Sequence, residues 1–187
     1  DCKPENSLSA IAVARGVSPA AAFIELVLET DGALVANMPF LNQDLAAVEQ
    51  MLDDPLATLG LADAGAHVGQ IMDASQPTYL LSHWVRDKGV LSLTEAIRRL
   101  TSDTAQFIGY VDRGVIREGA YADLNVIDVD GMSLGLPEIV RDFPGDAPRF
   151  VQRARGIDHS IVNGVPFMEA GQPTGELPGR LLRSTDA

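Results

Sequence analysis

The feature that most constrains the fold is the stretch ATLGLADAGAHVG at residues 57–69. It is apolar up to Ala62, reaches Asp63, and then continues as a glycine-rich loop that carries His67. A short apolar run of this kind is typical of a parallel strand that is buried on both faces. Because α/β barrels carry their chemistry at the C-terminal ends of such strands, Asp63 is predicted to lie in a functional loop.

Helix and strand patterns alternate in the first part of the chain. Helices are predicted at residues 8–15, from Ser18-Pro19 to Gly32, and at 43–51, with strands at 33–38 and 58–62. This alternation predicts a parallel sheet. Two strands neither close an eight-stranded barrel nor form a stable sheet alone. We therefore expect barrel elements upstream of this sequence.

The pattern changes after the Asp63 loop. Helices are predicted at residues 78–86, 93–100 and 104–108, the second opened by a capping box of Ser92 and Glu95. The apolar stripe of Leu80, Leu81 and Trp84 is interpreted as core. After Gly109, strands are predicted within 113–119 and at 124–129, 157–162 and 165–169, with an Asn163-Gly164 hairpin turn. Residues 132–148 are predicted to be a loop, and the domain boundary is placed between residues 109 and 110.

The charge and the cysteine content exclude several classes of function. The net charge is −12, from 14 basic and 26 acidic residues, which argues against nucleic acid or an anionic membrane as a partner. Cys2 is the single cysteine, so an internal disulfide is impossible, and we assign this residue no role. No apolar run reaches a membrane-spanning length and no signal peptide is recognised, so a cytoplasmic location is predicted.

Several motifs together resemble the amidohydrolase superfamily, and more narrowly its N-acyl-D-amino-acid deacylase (D-aminoacylase) branch. The superfamily resemblance rests on TSDTAQFIG at 101–109, DRGVI at 112–116 and GAYADLNVID at 119–128. The branch is indicated by ADAGAHV at 62–68, HWVR at 83–86, VQRA at 151–154, IVNG at 161–164 and TGELPGR at 174–180. The resemblance covers essentially the whole chain and corresponds to the C-terminal portion of such an enzyme.

The resemblance implies an α/β plus β fold, with residues 1–109 as the last βα units of a metal-dependent (β/α)₈ TIM-type barrel and 110–187 as a small composite β-sandwich. It also implies that Zn²⁺ and an activated water hydrolyse the amide of an N-acyl-D-amino acid. Asp63 matches the aspartate that lies at the metal, takes a proton from the water and returns it to the leaving amine. The other metal ligands are expected upstream of this chain.

The remaining candidate residues have secondary roles. His67 and Gly65, in the same loop, are predicted to contact substrate, whereas His83 and His159 are interpreted as structural. His67, His83, His159 and Cys2 match no zinc-binding spacing, so the chain alone is expected to bind no zinc and to be inactive. We expect it to associate with itself or with the missing part of the barrel. Two alternatives remain: an amidohydrolase acting on a cyclic amide or imide (dihydroorotase- or hydantoinase-like), or a non-catalytic structural or assembly module.

Overall fold

The computed structural model describes residues 3–39, 41–60, 62–65, 67–70 and 73–183. The chain divides into two compact units, residues 1–48 and 49–187. The predicted boundary at 109/110 lies inside the second unit and stays a prediction. Within that unit, the last α-helix ends at Ile108 and the first strand begins at Leu124, so the change from helices to strands falls where the sequence indicates.

The first unit contains a 3₁₀ turn (Pro4–Asn6) and two complete α-helices. Helix α1 is Leu8–Arg15 and helix α2 is Pro19–Glu29, each opened by a serine whose Oγ accepts an N–H of the first turn, Ser7 from Ala10 and Ser18 from Ala21. The prediction at residues 8–15 is confirmed, but α2 ends before Gly32. Arg15 joins the two helices by donating to Glu29 at 2.6 and 3.0 Å and to Glu25 at 3.1 Å. These hydrogen bonds lower the pKa of Glu29.

Helix α2 leaves much of its apolar surface uncovered. Phe23, Ile24 and Leu28 are 45%, 58% and 74% exposed. In the part of the chain that the structure describes, no individual helix has the length and apolarity of a membrane span; α1 and α2, which meet at 94°, satisfy that test only as a bent pair.

The two predicted parallel strands are corrected by the structure. Residues 33–38 and the described positions of 58–62 are irregular, and Leu61 lies outside the described residues. Every strand pair in the described chain is antiparallel. The physical reason is that a parallel strand needs hydrogen-bonded neighbours and cover on both faces. Val35 and Met38 have no such cover, since they are 52% and 78% exposed.

The helical part of the second unit contains a change of helix type. Helix α3 (Leu45–Asp53) begins in the first unit and ends in the second. Helix α4 (Gln76–Tyr79) continues directly into a π-helical segment, Leu80–Asp87. Helices α5 (Leu93–Leu100) and α6 (Ser102–Ile108) follow. Leu80, Leu81 and Trp84 are buried, which confirms them as core. Ser92 Oγ accepts from Glu95 N at 3.2 Å, but the Glu95 carboxylate binds Arg98 and Arg99 rather than closing the capping box.

Between Gly109 and Arg183, the last residue that the structure describes, the chain forms eight strands: β1 Leu124–Ile127, β2 Ser133–Leu134, β3 Glu138–Phe143, β4 Ala147–Val151, β5 Ala154–Arg155, β6 Ile157–Val162, β7 Val165–Glu169 and β8 Gln172–Pro173. They form a four-stranded sheet in the order β1-β6-β7-β8 and two ribbons, β2-β5 and β3-β4. The predicted hairpin turn is present, with Asn163 and Gly164 both left-handed (φ 50° and 81°). A β-sandwich stays a prediction.

Two further predictions in this region are wrong. The expected loop at residues 132–148 contains β2 and most of the β3-β4 ribbon, and the expected strand within 113–119 is irregular. The prolines that suggested a loop are accommodated because Pro144 opens the turn and Pro148 lies in a two-stranded ribbon, where both strands are edges.

Arg86 connects the π-helical segment to the loop between β1 and β2. Its Nη1 donates to the carbonyl oxygens of Val129 and Asp130, both at 3.2 Å, and of Met132 at 2.5 Å. Met132 itself is 1% exposed. A single guanidinium therefore fixes the helical part of this unit to its β part.

Candidate functional site

Asp63 lies in an exposed, irregular loop of the second unit. Its φ of 55° is left-handed, a conformation that aspartate tolerates better than most residues. Ala62 before it is half-buried, and Leu61 and Ala66 lie outside the described residues. The carboxylate is therefore on the surface of the described chain rather than in a closed pocket.

The segment that leads to Asp63 is anchored to α5. Arg99 Nη1 donates to the carbonyl oxygen of Leu52 at 2.6 Å, while Nε donates to Glu95 at 2.9 Å. The Arg99 side chain is only 10% exposed. A cavity of about 260 Å³, lined among others by Thr58, Arg99 and Phe107, lies where the segment passes α5 and α6. Sequence analysis did not single out Arg99, although Glu95 four residues earlier is a usable signal for a helix ion pair.

Glu95 is held as a carboxylate by the same cluster. Hydrogen bonds from Arg98, and secondarily from Arg99, lower the pKa of Glu95. Both arginines therefore favour the ionised form of this carboxylate.

The segment that follows Asp63 is anchored to the β region. Phe150 N in β4 donates to the carbonyl oxygen of Val68 at 2.8 Å, and Gln70 N donates to that of His67 at 2.8 Å. Both predicted substrate contacts, Gly65 and His67, are exposed. A Cβ at Gly65 would meet no atom within 4 Å. The structure places both in the Asp63 loop, and their contact with substrate stays a prediction.

The described residues do not form a metal centre by themselves. Within ranges 3–39, 41–60, 62–65, 67–70 and 73–183, no group of three or more His, Cys, Asp and Glu side chains is placed to hold a metal ion. A catalytic zinc takes about three protein ligands. Asp63 could supply one, so the others would have to come from outside the described residues. Cys2 is itself outside them.

The two other histidines lie in regular elements. His83, half-buried in the π-helical segment, stacks on Tyr79 with ring centroids 4.7 Å apart and meets Trp84 edge-on at 4.9 Å. Burial, and secondarily the charge of Asp87, raises the pKa of Tyr79. His159 lies in β6 opposite Glu169, with Nδ1 3.9 Å from the carboxylate. Their structural roles stay a prediction.

Comparison with known proteins shows the family. Residues 4–167 match the model described as "Amidohydrolase family". The chain belongs to the amidohydrolase family. Among curated relatives from Alcaligenes xylosoxydans xylosoxydans, an N-acyl-D-aspartate deacylase is 30% identical over 172 residues, 87% of this chain and 32% of the relative. An N-acyl-D-glutamate deacylase is 33% identical over 106 residues, 57% of this chain and 20% of the relative.

Solved structures point to the same branch of the family. A D-aminoacylase mutant in complex with CuCl₂ aligns with a TM-score of 0.56 and 26% identity, covering 97% of this chain and 36% of the other. A D-aminoacylase whose study concerns its binuclear metal centre aligns with a TM-score of 0.54 and 26% identity, covering 94% and 35%. This amidohydrolase therefore spans about a third of the chains whose fold it shares.

Proposed function

We propose that this chain supplies the Asp63 loop of a zinc-dependent hydrolase that acts on N-acyl-D-amino acids. The observation that carries the proposal is the family match over residues 4–167, together with deacylase relatives that align over as much as 87% of the chain. In this proposal residues 1–109 are the last βα units of a (β/α)₈ barrel, and residues 110–187 are its β-sandwich. The cytoplasm is the proposed location, which the acidic charge and the single cysteine support.

The proposed reaction is the hydrolysis of one amide bond. Water adds to the acyl carbon, the C–N bond breaks, the acyl group leaves as a carboxylate, and the nitrogen leaves as an amine after gaining a proton. Asp63 is proposed to accept the proton from the water and to pass it to the nitrogen. Its exposed position in an irregular loop supports this role, because the carboxylate is accessible.

The zinc site of this proposal would be completed by other residues. The described residues offer Asp63 but no group of three ligands, so no step of the reaction is assigned to the metal here. Gly65 and His67 are proposed to contact the substrate, because they share the Asp63 loop and are exposed.

A second candidate function is the hydrolysis of a cyclic amide or imide. It is favoured by a dihydroorotase from Endomicrobium trichonymphae that is 42% identical over 43 residues. That match covers 23% of this chain, against 87% for the N-acyl-D-aspartate deacylase, so the deacylase reaction is preferred. A panel of N-acyl-D-amino acids and cyclic ureides, assayed with the longest polypeptide that the coding region encodes, distinguishes the two.

The 187-residue chain alone is expected to show no deacylase activity and to bind no stoichiometric zinc. The reason is that, among the residues that the structure describes, Asp63 has too few ligating neighbours for a catalytic zinc site. Elemental analysis after removal of loosely bound metal, combined with an assay on N-acetyl-D-glutamate, measures both. One tight zinc per chain with turnover would contradict the expectation.

We also expect the chain to associate through apolar surface. In the second unit Leu56, Phe107, Val111 and Ile116 each expose 69–90% of their area, and relatives of the same fold are about three times as long. Where such residues form one contiguous patch, the patch marks an interaction site. Light scattering should report self-association, or a fluorescent apolar dye should bind and be displaced when the rest of the enzyme is co-expressed. A monomer that binds no dye would argue against this expectation.

A further inference from the structure

The C-terminal segment at residues 174–180, called the strap below, lies beside the four-stranded sheet without joining it as a strand. At its start, Thr174 N donates to the carbonyl oxygen of Phe167 at 3.0 Å, and Thr174 Oγ1 donates to that of Pro166 at 3.0 Å. These bonds fix one end of the strap to β7. The remainder is held by side chains from elsewhere in the second unit.

The far end of the strap is held at Tyr121. The Arg180 guanidinium carbon lies 4.6 Å from the centroid of the Tyr121 ring, and Arg180 Nη2 donates to the Tyr121 hydroxyl. The Arg113 guanidinium also contacts this ring, at 4.2 Å, and forms an ion pair with Asp123. Cation–π contacts of this kind are attractive and become stronger when they are partly desolvated.

A second route connects the strap to the same cluster. Asn163 Nδ2 donates to the carbonyl oxygen of Pro178 at 2.7 Å, and Asn163 N donates to Asp123 Oδ1 at 2.8 Å. Asp123 thus connects Arg113, which contacts the Tyr121 ring, to the hairpin turn at Asn163. The strap is bonded to this network at two points, Pro178 through Asn163 and Arg180 through Tyr121.

Little apolar burial supports the strap. A cleft of about 320 Å³ separates Val162 and Phe167 of the sheet from Leu177 and Pro178 of the strap. Leu177 borders this cleft yet is 94% exposed. Since apolar burial is normally the main stabilising contribution, the strap depends on its few polar and cation–π contacts.

We propose that the strap is a latched element that opens as a unit, with Thr174 as the hinge and the Arg180–Tyr121 contact as the latch. Opening uncovers Val162 and Phe167 while the β6-β7 hairpin remains paired. The latch is conformational and independent of the Asp63 reaction proposed above.

Limited proteolysis of the full chain with an endoprotease that cleaves after glutamate tests the latch. In Arg180→Met and Tyr121→Ala, cleavage after Glu176 in the strap is expected to be about tenfold faster, with cleavage after Glu169 in β7 unchanged. Tyr121→Phe, which keeps the ring but removes the hydroxyl, should have an intermediate effect. Arg153→Met, at an exposed arginine in another part of the unit, is the matched control and should leave the strap unchanged.

Two results would overturn the proposal. One is cleavage after Glu176 in Arg180→Met at the same rate as in the unaltered chain. The other is faster cleavage after Glu176 and Glu169 together, which would show that Arg180 stabilises the whole sheet. Arg180→Met keeps the test valid if Tyr121→Ala fails to fold. Arg180 lies in an exposed segment, and removing its guanidinium leaves the Arg113–Asp123 pair in place.

Discussion

Replacing Asp63 by asparagine in the active enzyme is expected to lower kcat by a factor of about 10²–10⁴, the usual contribution of a positioned general base. The change preserves the size of the side chain and its tolerance of left-handed backbone at φ 55°, but it removes the proton acceptor. KM should change little, because the proposed role of the carboxylate is to act on water rather than to bind the acyl group. Steady-state kinetics with N-acyl-D-amino acids, alongside metal analysis, measures the effect.

Asp31→Asn is the matched control for this experiment. Asp31 is also exposed and left-handed, with φ 50°, but it lies in the first unit and outside the candidate site. It should leave kcat unchanged, so any general cost of replacing a left-handed aspartate is measured separately. An Asp63→Asn enzyme that keeps its metal and a near-normal kcat would refute the general-base assignment.

Replacing Gly156 by alanine is expected to destabilise the second unit by about 2–6 kcal/mol. The added Cβ would lie 2.7 Å from the carbonyl oxygen of Asp128 and 2.7 Å from Cα of Met132, and φ at Gly156 is +89°. Met132 is almost fully buried and cannot move aside without disturbing the core. Chemical denaturation followed by far-ultraviolet circular dichroism measures the loss.

Gly171→Ala isolates the steric part of that loss. Gly171 has a similar φ of +76°, but a Cβ there would meet no atom within 4 Å. Its expected cost is that of the left-handed backbone alone, about 1–2 kcal/mol. Equal losses at the two positions would show that the backbone at residues 128–132 relaxes around the new methyl group.

The elements that the sequence predicts well are those with local causes. Helices 8–15 and 93–100 match the structure because their serine caps and apolar periodicity act within a few residues. The Asn163-Gly164 turn is correct for the same reason, since both residues favour the left-handed region that the turn requires. Local chemistry is sufficient for these elements.

The elements that failed depend on neighbours distant in the chain. The strands expected at 33–38 and 58–62 would need parallel partners, which the described residues do not supply. The π-helical form of Leu80–Asp87 was also missed, because apolar spacing does not distinguish it from an α-helix over so short a segment. The candidate site shows the same limit. A family resemblance located Asp63, but only coordinates show that Arg99 binds the carbonyl oxygen of Leu52 upstream of it and that Phe150 N binds that of Val68 downstream.

The strand order β1-β6-β7-β8 has a consequence for synthesis on the ribosome. β1 pairs with β6, and its last residue, Ile127, precedes the last residue of β6, Val162, by 35 positions. Because synthesis proceeds at ~5–20 residues per second, β1 remains without its partner strand for roughly 2–7 s. The β6-β7 hairpin, by contrast, closes within microseconds once both strands are free. We therefore expect the nascent chain to present β1 as an unpaired apolar strand, and a chaperone that recognises extended segments to bind there first.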